Sequence, residues 1–121
     1  MQVAYWIVAA LLAVLYLYSG GRKLVQNQEQ LRPMMAWVDR APMPLVKVIG
    51  ALEVLGVLGL VLPPLTGTAV GLAIAAAIGL VLVQVGGTAV HLARGEARVI
   101  GLNLALLVAA GVEAWLGTVW L

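Results

Sequence analysis

Two acidic residues, Glu53 and Glu113, stand inside long apolar stretches of this 121-residue chain. A charged side chain at the centre of a membrane-spanning helix costs about 2.5–3.5 kcal/mol on insertion scales. Such residues therefore face a bundle interior, form a pair, or belong to a site that binds protons or ligands. Each acid thus has two open roles: an ion pair that fixes helices, or a binding group.

The polar residues that could meet Glu53 lie at the ends of the same apolar stretches. Glu53 is flanked by Gly50 and Gly56 on one helical face, about two turns from Lys47, so another helix or a ligand can approach it closely. We predict a polar or ligand-binding cluster of Arg22, Lys23, Glu53, His91 and Asn103. A structural ion pair, a proton-linked site, and a pocket for a lipid headgroup or a quinone all fit this cluster.

Glu113 lies further along the sequence from any basic residue than Glu53 does, and Gln84 is its candidate polar neighbour. Burial disfavours the charged form of an acid, so an unpaired Glu113 should be protonated and donate to a backbone carbonyl. The alternative is a proton- or ligand-binding site that Glu113 forms with Gln84 or with tyrosines of the first apolar stretch. Gln84 otherwise serves as a hydrogen bond between helices.

Composition excludes several classes of function. Hydrophobic residues make up 64% of the chain and charged residues only 10%, whereas about a quarter of an ordinary soluble domain is charged. Without cysteine, disulfides and cysteine-ligated metal clusters are excluded. One histidine argues against a site with two imidazole ligands. No basic patch indicates nucleic-acid binding, and no catalytic or phosphate-binding motif appears, so activity as an enzyme on its own is not expected.

The apolar residues form four stretches, each near the roughly 20 residues that a membrane span needs. Since only helices suit such spans here, we predict an all-α, single-domain, up-down transmembrane four-helix bundle. The N-terminus lacks the charged region and cleavage site of a signal peptide, so the first stretch is expected to be an uncleaved span. The predicted spans cover residues 3–24, 45–62, 65–91 and 99–121. The second is expected to end at Pro63-Pro64.

Basic residues predict the orientation. All seven flank the long first connection or the short third one: Arg22, Lys23, Arg32, Arg40, Lys47, Arg94 and Arg98. The positive-inside rule then places both connections in the cytoplasm and both termini outside. The cytoplasmic segment 26–44 could lie on the membrane surface through Met34, Met35, Trp37 and Val38. A plain loop is equally compatible, because three prolines interrupt the segment.

Small residues recur every four positions along the third and fourth spans. Close backbone approach at small residues drives helix association in membranes, so these stripes predict packing within the chain or between copies. The third-span stripe is Gly67, Gly71, Ala75 and Gly79, and it begins with a GxxxG motif. The fourth-span stripe, Gly101, Ala105, Ala109, Glu113 and Gly117, directs Glu113 at a neighbouring helix.

Several short motifs together resemble the DoxX-like family of small four-span bacterial membrane proteins. They are Tyr18-Ser19-Gly20-Gly21-Arg22-Lys23-Leu24, Gly50-x-x-Glu53-x-x-Gly56, the proline-marked end of span two, His91-Leu92-Ala93-Arg94-Gly95-Glu96, and Asn103. The resemblance implies the bacterial inner membrane and polar positions at Lys23, Glu53 and His91. Relatives are linked to quinone-dependent sulfur oxidation, to oxidative-stress complexes and, in animals, to receptor assembly. Thiol exchange by this chain is in doubt, because it has no cysteine.

Three functional hypotheses follow. The first is a non-enzymatic accessory, anchor or assembly subunit of a redox or oxidative-stress system, which needs no cofactor and binds a protein partner or further copies of itself. The second is a lipid- or quinone-binding membrane subunit of an oxidoreductase, with Glu53, Lys23 and His91 around the polar head. The third is a small proton-coupled carrier, for which four spans are few and no inverted repeat is evident.

Overall fold

In the computed structural model, which describes residues 1–31, 33, 35 and 42–121, all the regular structure is helical. The α-helices are α1 (Gln2–Val25), α2 (Gln28–Leu31), α3 (Met43–Thr66), α4 (Leu72–Ala93) and α5 (Gly101–Leu116). Short 3₁₀ helices cover Ala97–Val99 and Gly117–Trp120. Four segments are long and apolar enough to cross a membrane: Gln2–Val25, Met43–Thr66, Leu72–Ala93 and Gly101–Trp120.

The four spans form an up-down bundle, as the sequence predicts. Along the ring α1 packs against α3, α3 against α4, α4 against α5, and α5 against α1. The central core contains Leu12, Tyr16, Leu60, Leu80 and Ala110. Because only 22–28% of the residues in the most apolar part of each span are buried within the chain, this is a multi-pass membrane protein whose outer apolar side chains meet lipid. The placement of both termini outside stays a prediction.

Glycines bring α1 and α3 together. A Cβ added to Gly20 would lie 2.8 Å from the carbonyl oxygen of Gly50, and a Cβ on Gly50 would lie 2.8 Å from that of Gly20. The Cβ added to Gly20 would also lie 3.1 Å from the Cβ of Glu53, and the Cβ added to Gly50 would lie 2.7 Å from the Cβ of Lys23. The backbones can approach this closely only without side chains at the crossing, and this approach places Lys23 beside Glu53.

The predicted end of the second span at Pro63-Pro64 is wrong, since α3 continues to Thr66. Proline has no N–H, so Pro64 leaves the carbonyl of Leu60 without its usual helical donor. The Tyr5 hydroxyl, 2.6 Å away, donates to that carbonyl. A hydrogen bond from another helix thus replaces the one that proline removes, and α3 tolerates the prolines.

The third span begins at Leu72 rather than at Leu65. Gly67 caps α3 in the left-handed region at φ +70°, as is typical of helix C-termini, and Ala69 also has a positive φ of 51°. These two residues cannot belong to a continuous helix. The predicted helical GxxxG motif is therefore wrong, because Gly67 and Gly71 belong to the α3–α4 turn.

The first connection begins with an ordered turn. Asn27 and Gln30 exchange hydrogen bonds, the Asn27 side chain accepting from the Gln30 backbone and the Gln30 side chain from the Asn27 backbone, at 2.9 and 3.0 Å. Leu31 and Met35 pack against Val46 of α3. The predicted interfacial contacts of Met34, Trp37 and Val38, and the basic residues Arg32 and Arg40, lie outside the described residues.

Candidate functional site

Lys23 and Glu53 form a buried ion pair between α1 and α3. The Lys23 Nζ lies 2.6 Å from Glu53 Oε1 and donates a second hydrogen bond, also 2.6 Å long, to the Ser19 hydroxyl. Lys23 is 6% exposed and Glu53 2%. One acid of the sequence prediction thus has its basic partner on the first span, and each neutralises the charge of the other.

Arg22, the other basic candidate, lies away from this pair. Its guanidinium donates to the side chains of Gln26 and Tyr18 and to the backbone carbonyl of Gln30. One residue along a helix turns the side chain by about 100°, so Arg22 cannot share the face that Lys23 presents to Glu53. It stabilises the end of α1 and the turn that follows.

A second polar group crosses the bundle beside the ion pair. The Asn103 amide donates to Gln84 Oε1 at 2.9 Å, and the Gln84 amide donates to the Tyr16 hydroxyl at 2.7 Å. Tyr16 in turn lies 3.4 Å from the carbonyl oxygen of Leu80. We call Asn103, Gln84 and Tyr16 the amide ladder. Gln84 makes the predicted bond between helices, with Tyr16 of the first span and not with Glu113.

His91 also faces this region but bonds elsewhere. Its Nδ1 lies 3.2 Å from Glu96 Oε1, which also accepts from Arg94 Nε at 2.8 Å. The hydrogen bonds from Arg94 and His91 lower the pKa of Glu96 below its usual value. The α4–α5 connection therefore orients the imidazole, and His91 is not hydrogen-bonded to Glu53.

A groove of about 1100 Å³ runs mainly between α3 and α4, with residues of α1 and α5 at its base. Most of its wall is apolar, and its α3 and α4 sides include Leu52, Leu55 and Leu82, which are exposed on the outside of the bundle. Its polar lining consists of Tyr16, Tyr18, Ser19, Lys23, Glu53, Gln84, His91 and Asn103. The ion pair, the amide ladder and the imidazole thus meet in one cavity, whose open side faces the lipid.

The second half of the third-span stripe lines the groove, and the glycines of the stripe make no close helix contact within the chain. Ala75 and Gly79 are exposed and belong to the groove wall. A Cβ added to Gly79 would meet nothing within 4 Å, and the same holds for Gly67 and Gly71. The predicted packing of this stripe within the bundle is therefore wrong. Packing between copies stays a prediction.

The close contacts between α3 and α4 use other small residues. A Cβ on Gly56 would lie 2.6 Å from a methyl of Leu80, and one on Gly59 would lie 2.7 Å from Ala76. Spacing alone cannot separate these glycines from those that face open space.

Glu113 is fully buried, and neither of its carboxyl oxygens has a hydrogen-bond partner within the described part of the chain. It lies one turn before Leu116 and Gly117, at the level of the cluster that Leu116 forms with Tyr5 and Ala73. The predicted grouping of Glu113 with Gln84 is wrong, because Gln84 belongs to the amide ladder. Glu113 points inward as predicted, but the fourth-span stripe is not a contact surface along its whole length, since Gly101 and Ala105 are exposed.

The polar end of the groove presents groups that can form hydrogen bonds with a ligand. Among residues 1–31, 33, 35 and 42–121, no three His, Asp or Glu side chains come together to hold a metal ion. The groove offers an ammonium group, a carboxylate, amides and hydroxyls above an apolar wall. Ligand pockets in proteins have this make-up, with a mostly apolar lining and a few polar groups.

Residues 7–112 match the DoxX-like family. Because the match covers most of the chain, this protein belongs to the DoxX-like family. Comparison with curated proteins and with solved structures gave no match.

Proposed function

We propose that this DoxX-like membrane protein holds an amphiphile with an uncharged polar head, of the quinone or neutral-lipid type, in the α3–α4 groove. It would act as a non-enzymatic subunit that presents this molecule to a redox partner in the bacterial inner membrane. The observation that carries the proposal is the neutral polar end of an otherwise apolar groove.

Charge favours an uncharged head over a phosphate. Glu53 already neutralises Lys23 at 2.6 Å, and the neighbouring Ser19, Gln84 and Asn103 side chains carry no charge. Lys23, already paired with Glu53, is the one Lys or Arg side chain among the described residues that line the groove. A phosphate would therefore approach the Glu53 carboxylate without compensation from them, and like charges at close range repel strongly in a medium of low dielectric constant. A carbonyl or hydroxyl group meets no such repulsion.

The remaining hydrogen-bonding capacity has the same character. An ammonium group has three N–H donors, of which Lys23 uses two, for Glu53 and Ser19. The Asn103 side-chain oxygen accepts no hydrogen bond from the described residues, since this amide only donates, to Gln84. The groove thus has one donor for a carbonyl oxygen and one acceptor for a hydroxyl, as the oxidised and reduced forms of a quinone would use.

The size of the groove supports a lipid-like molecule. Pockets for drug-sized ligands enclose about 300–1,000 Å³, and this groove of about 1100 Å³ exceeds that range. Its leucine-lined open side is continuous with the lipid-facing surface. A tail can therefore enter from the bilayer without crossing water.

The test is a binding titration of purified protein in nanodiscs with a quinone that has no tail, so that only the head site is probed. Glu53→Gln keeps the side-chain shape but removes the charge that orients Lys23. Hydrogen bonds to charged groups contribute about 1.5–3 kcal/mol, so the affinity should fall at least tenfold. Glu29→Gln, an exposed acid outside the spans, is the matched control and should bind like wild type. Equal affinities for Glu53→Gln and wild type would refute the assigned site.

The accessory part of the proposal needs a separate test, since a bound amphiphile does not identify the protein that uses it. Gly71 lies in the exposed α3–α4 turn, outside the groove, and has space for a side chain. If a partner or a second copy packs on this turn, Gly71→Trp should abolish co-purification while ligand binding stays intact. Co-purification unchanged in Gly71→Trp would contradict a contact at this turn.

A further inference from the structure

The α4–α5 connection folds Glu96 back onto the end of α4. The Glu96 N–H donates to the carbonyl of His91 at 2.8 Å, and the Gly95 N–H donates to the carbonyl of Leu92 at 3.0 Å. Gly95 adopts the left-handed region, at φ +73°. These features form a Schellman motif, which ends many helices and commonly has glycine in the left-handed position. Because the motif returns the chain toward the last turn of the helix, it brings the Glu96 carboxylate to the His91 imidazole.

This carboxylate determines which ring nitrogen of His91 carries the proton. Glu96 Oε1 lies 3.2 Å from His91 Nδ1 and accepts a hydrogen bond of 2.8 Å from Arg94 Nε. An ionised carboxylate can only accept hydrogen bonds, so Nδ1 must be the nitrogen that donates to it. In a neutral imidazole the other ring nitrogen is then an acceptor. His91 therefore has a lone pair at Nε2.

The Nε2 atom of His91 is open to a ligand. It makes no hydrogen bond within the described part of the chain, and it is not one of the buried polar atoms there that lack a partner. An atom that is neither hydrogen-bonded nor buried is accessible. Because His91 lines the groove together with Lys23 and Asn103, its imidazole gives the groove a second hydrogen-bond acceptor besides the Asn103 oxygen.

We propose that His91, held by Glu96, selects the reduced form of the head, so that the groove binds a hydroquinone more tightly than the corresponding quinone. A hydroquinone has two hydroxyl groups, and either can donate to the Nε2 lone pair. A quinone has carbonyl oxygens at these positions, which cannot donate and would leave Nε2 unpaired. Sites built to bind a hydroxyl discriminate against analogues that lack it for this reason.

This inference rests on the proposed function, because it concerns the head of the same amphiphile. Within it, His91 determines specificity by direct contact with the head. Glu96 is a positioning residue, since it acts on the head only through the imidazole.

The first measurement locates the proton on His91 without any ligand. His91 is the one histidine of the chain, so protein labelled with ¹⁵N-histidine gives one magnetic-resonance signal for each ring nitrogen. In nanodiscs at about pH 8, where an unperturbed imidazole is neutral, we expect a protonated Nδ1 and an unprotonated Nε2. The amide of Glu96→Gln can donate to Nδ1 as well as accept from it, so the Nε2–H form should become populated. Glu29→Gln is the matched control and should leave both signals unchanged, whereas a protonated Nε2 in wild type would overturn the inference.

The second measurement compares the dissociation constants of tail-less benzoquinone and its hydroquinone, the latter under anaerobic, reducing conditions. Wild type should bind the hydroquinone at least about fivefold more tightly, the typical contribution of one hydrogen bond. His91→Phe keeps a ring but has no acceptor, and it should bring the two affinities to within about twofold of each other. Glu96→Gln should reduce the preference through the second tautomer. The quinone affinity of both variants should stay within about twofold of wild type, which a general disruption of the groove would not allow.

The outcomes separate the two proposals. If the heads bind in a Glu53-dependent way but wild type does not prefer the hydroquinone, or His91→Phe retains that preference, the inference about His91 is overturned and the head site stands. If neither head binds, or both bind Glu53→Gln as tightly as wild type, the proposed function fails and this inference fails with it. Thermal unfolding of each variant checks that the bundle is intact.

Discussion

Removing one member of the Lys23–Glu53 pair should lower the free energy of unfolding far more than removing both. Glu53→Leu leaves an ammonium group that is 6% exposed, with the Ser19 hydroxyl as its remaining hydrogen-bond partner among the described residues. Lys23→Met leaves an uncompensated carboxylate that is 2% exposed. The double variant leaves no charge and keeps side chains of similar volume at both positions.

The distance between the two charged groups sets the size of the expected change in stability. Two unit charges 2.6 Å apart attract by about 6 kcal/mol at an effective dielectric constant near 20. The desolvation penalty, of several kcal/mol per ion, offsets much of this attraction. Each single variant should therefore lower the free energy of unfolding by about 3–5 kcal/mol, whereas the double variant should be close to wild type or more stable by about 1–4 kcal/mol.

The assay is equilibrium unfolding of the four proteins in mixed micelles with increasing denaturing detergent, followed by far-ultraviolet circular dichroism. The coupling energy from the double-mutant cycle isolates the pair from the individual substitutions. Single variants that unfold like wild type, or a double variant no more stable than the worse single one, would refute the buried-pair interpretation.

The same double-mutant cycle distinguishes a structural role of the Lys23–Glu53 pair from a role in ligand binding. If the pair only fixes the helices, the double variant recovers both stability and quinone binding. If Lys23 and Glu53 hold a ligand head, the double variant recovers stability while its affinity for the tail-less quinone stays at least tenfold reduced. The two hypotheses that the sequence leaves open for Glu53 thus predict different results for one protein.

Three further predictions concern other parts of the chain. Gly20→Leu should destabilise the bundle by at least about 1–3 kcal/mol through overpacking, since its Cβ would lie 2.8 Å from a carbonyl of α3, whereas Gly21→Leu, which meets open space, should not; equal melting temperatures would contradict the glycine crossing. The Glu96 pKa is lowered below its usual value of 4.5 by Arg94 and His91; stability from this network should thus be present above about pH 4.5 and lost as pH falls through the lowered value. Glu96→Gln should remove that acid-side step in thermal unfolding, and an unchanged pH profile would exclude the network. Glu113→Leu should stabilise the bundle by about 1–3 kcal/mol in the same micelle assay, because it removes a buried acid without a partner among the described residues; a loss of stability would indicate a partner beyond them.

Span number and topology were predictable because hydrocarbon imposes a strong constraint on length and polarity. Each of the four apolar stretches corresponds to one helix. The errors lie at the ends, where local signals compete with contacts from distant residues. Proline at 63 and 64 is an ordinary stop signal, but the Tyr5 hydroxyl satisfies a carbonyl that it leaves free, and the helix continues.

The polar residues show a similar division. The order of the spans correctly placed Lys23 near Glu53, since Lys23 lies in the last turn of α1 and Glu53 in the first half of α3, on either side of the same connection. The grouping of Gln84 with Glu113 failed because depth does not specify the direction of a side chain around its helix. Gln84 points to Tyr16 and Asn103, and that choice depends on how α4 is rotated against its neighbours, which the sequence of α4 alone does not reveal.

Small-residue stripes are ambiguous for a physical reason that this bundle makes explicit. A missing side chain lets a backbone approach, and it also leaves space if no backbone comes. Residues of α4 pack closely against Gly56 and Gly59 of α3. In contrast, no neighbouring helix lies within 4 Å of a Cβ built on Gly79 or Gly86 of α4. In water an apolar recess of this kind would tend to close, whereas in a bilayer hydrocarbon is always present to fill it. A glycine stripe in a membrane helix therefore predicts a contact surface, and the neighbouring helix determines whether protein or a lipid-like molecule occupies it.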